Sequence, residues 1–179
     1  MPPEYRFEPV TRADYPMLRG WLALPHVRAW WGDPDYEIGL IEDEVEGDLC
    51  DMRVVWADAP FAFVQDYPAK AYGSPQYGYL PKTARAIDTF LGDPAYLGRG
   101  HAAGYLRARA TQLLEGGAPV VVVDPDPTNT RAIAAYERAG FVAGQVVPCE
   151  DGEEVLVMEM QRQHPTSKTD GPRAPAKDD

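Results

Sequence analysis

The chain has little cysteine, little histidine and fewer cations than acids. Two cysteines, Cys50 and Cys149, stand among 179 residues. They form no Cys-x-x-Cys pair, which argues against a disulfide scaffold or a thiolate metal centre. Two free thiols in a reducing cytosol are expected, and the spacing leaves a single disulfide open. The three histidines, His26, His101 and His164, are too scattered for a zinc spacing, so no metal is expected. No apolar run approaches the ~20 residues of a membrane span. Met1-Pro2-Pro3-Glu4-Tyr5 has neither the basic nor the apolar region of a signal peptide, so a cytoplasmic protein is expected. Lysine and arginine total 17 against 28 acids, a net charge of −11. Neutralising phosphates needs cations, so neither nucleic acid nor an anionic membrane surface is an expected partner. The balance suits a cationic partner, or serves only solubility.

What is present suffices for a core, with 45% hydrophobic and 11% aromatic residues. A chain of this length folds as one domain without staples. Residues 1–163 are expected to form it. Residues 164–179, His164 to Asp179, hold no large aliphatic side chain. They bury too little to offset their ordering entropy and are expected to be a disordered tail.

The patterning predicts a mixed α/β domain. Tyr5–Val10 alternates as a strand, and Ala13–Leu24 reads as a helix capped by Thr11, with Leu18, Trp21 and Leu22 on one face. His26–Trp31 reads as a second helix, and residues 35–49 have room for another. Met52–Trp56 and Phe61–Tyr67 form a hairpin. A Gly-, Pro- and Tyr-rich loop over 68–81 leads to a strand, Ala84–Leu91. Gly100–Glu115 is a helix with Ala103, Leu106, Ala110 and Leu113 at helical spacing. Pro119 to Val123 is an apolar, β-branched run, as in a strand buried on both faces. Asn129–Ala139 is a helix with Gly140 just past its end and Phe141 as its hydrophobic partner. Phe141–Val147 and Glu154–Met160 close the sheet, with parallel pairing where the long helix crosses over.

Two segments point to chemistry. Leu97-Gly98-Arg99-Gly100-His101-Ala102 opens the long helix. Small residues admit a ligand close to the backbone, the helix N-terminus offers free N–H groups, and Arg99 adds a donor fork for phosphate. Asp88 alternates with Ile87 and Thr89, so it faces the opposite side of its strand. A carboxylate so placed can serve as a general base. Nine acids and no cation lie between Asp33 and Asp51. Such a run is either a solvated face or a field that steers a polycation.

The Gly-loop followed by Asn129-x-x-Ala132-x-x-x-Tyr136-x-x-x-Gly140-Phe141 resembles the GNAT superfamily of acetyl-CoA-dependent N-acetyltransferases. Within it the chain is most similar to the aminoglycoside 6′-N-acetyltransferases. That likeness rests on His26-x-x-x-Trp30-Trp31-Gly32, Gln65-Asp66-Tyr67, Arg85-Ala86-Ile87-Asp88 and Val123-Asp124-Pro125. The resemblance implies a GNAT fold: a central, twisted mixed sheet with helices on both faces and acetyl-CoA in a V-shaped cleft between the central parallel strands. It implies that Leu97, Gly98, Arg99, Gly100, His101 and Ala102 hold the pyrophosphate. Phe90 and Asn129 would flank the pantetheine arm, and Tyr136 would protonate the leaving thiolate or pack against the cofactor. It implies Asp88 as base and Trp30, Trp31, Asp33, Tyr67, Asp124 and Asp151 as acceptor contacts, with one of the two adjacent tryptophans in the core. Leu97 departs from the Arg or Gln frequent there. The expected activity is acetylation of the 6′-amine of an aminoglycoside by direct attack, giving antibiotic resistance, as a monomer or homodimer. The rival readings are a GNAT enzyme for a siderophore hydroxylamine, polyamine or protein amine, and a non-catalytic CoA-binding module.

Overall fold

The computed structural model describes residues 3–162, so the tail expected over 164–179 lies outside the described residues. The strands are β1 (Arg6–Pro9), β2 (Asp51–Trp56), β3 (Pro60–Pro68), β4 (Arg85–Leu91), β5 (Val120–Val123), β6 (Val142–Pro148) and β7 (Glu154–Gln161). The helices are α1 (Tyr15–Leu22), α2 (Pro25–Trp31), α3 (Pro34–Glu44), α4 (His101–Glu115) and α5 (Thr130–Ala139). One seven-stranded sheet runs β1-β2-β3-β4-β5-β7-β6. All neighbours are antiparallel except β4 and β5, which the α4 crossover joins in parallel.

Strand alternation sorts the side chains into two layers. Val54, Phe63 and Phe90 pack with Leu18, Trp21, Leu22, Val27, Ile38 and Ile41 of α1–α3. Val55, Val64 and Ile87 pack on the other face with Tyr105, Leu106, Ala110 and Leu114 of α4 and Tyr136 of α5. Helices therefore cover both faces. The four valines of β5 are buried on both sides: Val121 and Val123 meet α4, while Val120 and Val122 meet Tyr77 and Leu80 of the 68–81 loop.

Some boundaries depart from the sequence reading. The first helix starts as a 3₁₀ turn, Arg12–Asp14, with the Thr11 N–H donating to the Asp14 carboxylate at 2.8 Å. α-helix begins only at Tyr15, because Pro16 lacks an N–H and is tolerated only in a first turn. The helix over 35–49 forms from Pro34 and stops at Glu44, held at its start by Asp33, which accepts from the N–H groups of Asp35 and Tyr36. The buried stripe of α4 runs through Tyr105, Leu106, Arg109, Ala110 and Leu114, whereas Ala103 and Leu113 are only partly buried.

The feature that makes the site is a short pairing. β4 and β5 are in register only at Arg85–Val121 and Ala86–Val122. Beyond those pairs the strands part. The residues that follow, Asp88 to Leu91 on one side and Asp124 to Asp126 on the other, line a cleft of about 670 Å³.

Candidate active site

The cofactor wall begins at a 3₁₀ turn, Pro94–Tyr96, held by Asp93, which accepts from the Ala95 N–H. Gly98 and Gly100 then adopt φ of +70° and +81°. An L side chain is strained in that region, so glycine is required for the turn into α4. A Cβ at either residue would meet no atom within 4 Å, so the backbone stays open to a ligand. Gly100 is the N-cap and offers no side-chain acceptor, which leaves the first N–H groups of α4 free for an anion. Leu97, Gly98, Gly100, His101 and Ala102 line the cleft.

Arg99 corrects its expected role. Its exposed side chain donates to the Ala95 carbonyl at 3.3 Å and is not among the cleft-lining groups. The fork turns back onto the preceding 3₁₀ turn. His101 packs against Phe61 and Tyr96, and its Nδ1 lies 3.1 Å from the Tyr5 hydroxyl. Burial, and then the charge of Arg99, lower its pKa, which favours a neutral ring. Across the cleft Asn129 caps α5 by accepting from the Ala132 N–H at 3.2 Å. Phe90 stacks on Phe63 at 5.2 Å and lines the cleft beside Asn129 and Tyr136. Tyr136 is 9% exposed, and its hydroxyl makes no hydrogen bond among the described residues. Burial raises its pKa, so it keeps its proton.

The acceptor wall is built on Asp88. Gln65, its register partner on β3, donates from Nε2 to Oδ2 at 2.9 Å, and the Tyr67 hydroxyl donates to Oδ1 at 3.4 Å. The carboxylate touches the cleft yet is enclosed by protein at depth. Desolvation raises its pKa; the Gln65 and Tyr67 hydrogen bonds lower it in part, and the charges of Glu150 and Glu37 raise it further. Asp124 lines the facing wall, and burial followed by the charge of Asp88 lifts its pKa to about 6. Gln76 donates to Asp124 at 3.0 Å. Glu37 and Leu40 of α3, with Trp30 and Trp31 of α2, complete the rim.

Several expected acceptor contacts move. Tyr67 is 8% exposed and lies outside the cleft lining, so it holds Asp88 rather than stacking on a ligand. Asp33 is spent on capping α3. Asp151 is exposed in the β6–β7 turn, accepting from the Cys149 thiol and the Glu153 N–H, away from the cleft lining. The two tryptophans divide. Trp31 packs edge-on to Phe90 at 5.0 Å, while Trp30 is 49% exposed at the rim. Trp56 of β2 is half-buried under the guanidinium of Arg6. Sequence reasoning missed Gln65, Glu37 and Gln76 as site residues. Gln65 had a signal, since it is two residues from Tyr67 and faces the same side. Gln76 had none.

A mixed sheet that parts between two parallel strands, with an anion-binding helix start on one wall and carboxylates on the other, defines an acyl-CoA-dependent N-acyltransferase. Residues 10–148 match the family model of the acetyltransferase (GNAT) domain, and the chain belongs to that family. It is an acetyltransferase, with acetyl-CoA as its acyl donor, and the open glycine turn with the free N–H groups at the start of α4 suits the anionic part of that molecule. The chain is 28% identical over 167 residues to an aminoglycoside N(6′)-acetyltransferase type 1 of Klebsiella pneumoniae, covering 86% of this chain and 81% of that one. It is 33% identical over 88 residues to a kanamycin resistance protein of Rhizobium radiobacter, covering 48% and 81%. The structure of aminoglycoside acetyltransferase AAC(6′)-Ib with coenzyme A and kanamycin superposes with a TM-score of 0.78 at 25% identity, covering 89% of this chain and 95% of that one.

Proposed function

We propose that this protein, working in the cytoplasm, acetylates the 6′-amine of an aminoglycoside and so confers resistance to it. The observation that carries the reading is Asp88, a carboxylate held by Gln65 and Tyr67 at the point where β4 and β5 part. The bound acetyl-CoA supplies an activated acetyl thioester. Leu97 to Ala102 hold its phosphates through backbone N–H groups, and Phe90 and Asn129 flank the arm. Asp88 attracts the acceptor ammonium and takes a proton from its nitrogen, leaving the lone pair free to attack. Its pKa, raised by burial, makes it a better base than an ordinary carboxylate. Tyr136 holds a proton at its hydroxyl for the departing sulfur. Cys50 and Cys149 are free and outside the cleft lining, so direct attack needs no acyl-enzyme.

The acceptor is a small polycation, with neither nucleic acid nor a membrane as partner. Asp88, Asp124 and Glu37 supply the matching charge. The exposed indole of Trp30 at the rim suits a sugar ring better than a linear polyamine. Asp88→Asn should cut kcat by about 10²–10⁴-fold with acetyl-CoA affinity unchanged, in a thiol-release assay with parallel calorimetry. Near-normal kcat in this variant would remove Asp88 from the chemistry.

A further inference from the structure

The loop between β3 and β4 carries no acid from residue 68 to 81. It nevertheless sends one side chain behind the acceptor wall, to Asp124. Gln76, on the 3₁₀ turn Pro75–Tyr77, is 5% exposed. Its Nε2 donates to Asp124 Oδ2 at 3.0 Å and to Glu150 Oε2 at 3.1 Å. The two acids come from separate parts of the chain, one just past β5 and the other in the β6–β7 turn. Two carboxylates so close to one nitrogen repel each other. The amide offers two N–H donors and no charge, so it can hold both where their own field would part them.

A second observation marks the same place. Gln76 Oε1 is fully buried and has no hydrogen-bond partner among the described residues. Tyr77 neighbours Asp124 and Tyr67, and Tyr67 in turn holds Asp88. A native core rarely leaves such atoms unpaired unless the site serves more than packing.

We propose that Gln76 is a positioning residue for acceptor specificity: it ties Asp124, the cleft-lining acid across from Asp88, to Glu150 outside the lining, and so holds Asp124 in place for a further ammonium group of a polycationic acceptor. The inference rests on acetyl transfer to an amine at Asp88. Gln76 touches no reacting atom. Its loss therefore weakens binding of the second ammonium and leaves the proton transfer at Asp88 in place. The defect falls in KM rather than kcat, and only for acceptors that carry a second ammonium.

The test compares wild type with Gln76→Met, which keeps the volume without the amide, and Gln76→Asn, whose shorter amide cannot span both acids. Thiol release is measured with kanamycin and with methyl 6-amino-6-deoxyglucoside, a monoamine. Calorimetry follows kanamycin and acetyl-CoA binding in the same proteins. Loss of a hydrogen bond to charged groups predicts a kanamycin KM and Kd raised about tenfold in both variants. The kcat, the monoamine KM and the acetyl-CoA Kd should change far less. An unchanged kanamycin Kd, or an equal loss for both acceptors, overturns the inference. Wild-type protein that binds kanamycin without releasing thiol contradicts acetyl transfer, and the calorimetric comparison then decides the role of Gln76 by itself. Wild-type protein that binds no kanamycin overturns both.

Discussion

Asp124 shows what the site costs the fold. Its carboxyl titrates near 6 in the folded protein against 3.8 for an unperturbed aspartate. The folded state thus binds a proton more tightly than the unfolded chain does. Its stability is greatest below the unfolded pKa and declines as pH rises through the window from 3.8 to about 6. Above that window the buried charge costs about 3 kcal/mol. Asp124→Asn should therefore raise Tm at neutral pH by about 6–12 °C, with the gain fading by about pH 4. A melting series against pH checks this; a gain that persists at acid pH would show that burial of the charge is not the cause. The same variant should bind a polycationic acceptor less well, so stability and recognition move in opposite directions. The charge of Asp88 adds to the burial that raises the pKa of Asp124.

Helix α4 is tied to the sheet by charge as well as by apolar contact. Asp66 of β3 is 1% exposed and accepts from Arg85 of β4 at 2.5 Å and from Arg109 of α4 at 2.5 Å. Arg109 also reaches Asp51 of β2 at 2.9 Å. Removing the shared carboxylate leaves a buried guanidinium without its main partner. Asp66→Ala should cost about 3–5 kcal/mol, read as a fall in the urea midpoint; a cost under about 1 kcal/mol would show that Asp51 alone suffices. This network explains why the apolar periodicity of α4 found Leu106 and Ala110 but missed Arg109 on the same buried face. An arginine counts as a polar position in any hydrophobic pattern, yet Arg109 is buried because Asp66 meets it. Local signals served better elsewhere. The valine run of β5, the glycines of the turn into α4 and Asn129 at the start of α5 act within a few residues of themselves, and their roles were legible. Gln76 was not, because its partners lie 48 and 74 residues away and only the topology brings them together.

Over the whole molecule the net charge of −11 overstates the field in the cleft. Much of the acidic run over residues 33–51 is engaged elsewhere. Asp33 caps α3, Asp35 pairs with Arg19 at 2.5 Å, Glu46 pairs with Arg12, and Asp51 belongs to the arginine network. Glu37 is the member of the run that lines the cleft. A charge run in sequence says nothing about which way each carboxylate faces, so the run identified the right segment and the wrong residue, Asp33. Glu37→Gln should raise the KM of a polycationic acceptor several-fold and flatten the dependence of kcat/KM on salt. Asp35→Asn should leave both nearly unchanged. Equal effects in the two variants would mean that recognition reads overall charge rather than the built wall.

The nitrogen that receives the acetyl group distinguishes 6′-acetylation from every rival activity. The direct measurement is thiol release from acetyl-CoA with two aminoglycosides that differ at one atom, a 6′-amine in the first and a 6′-hydroxyl in the second. Both carry the remaining ammonium groups and bind the same acidic wall. Only the first offers Asp88 a nitrogen to deprotonate at the point where β4 and β5 part. Steady thiol release is expected with the 6′-amine, and release at the background rate with the 6′-hydroxyl. Equal rates with the two, or none with the 6′-amine, would contradict 6′-acetylation.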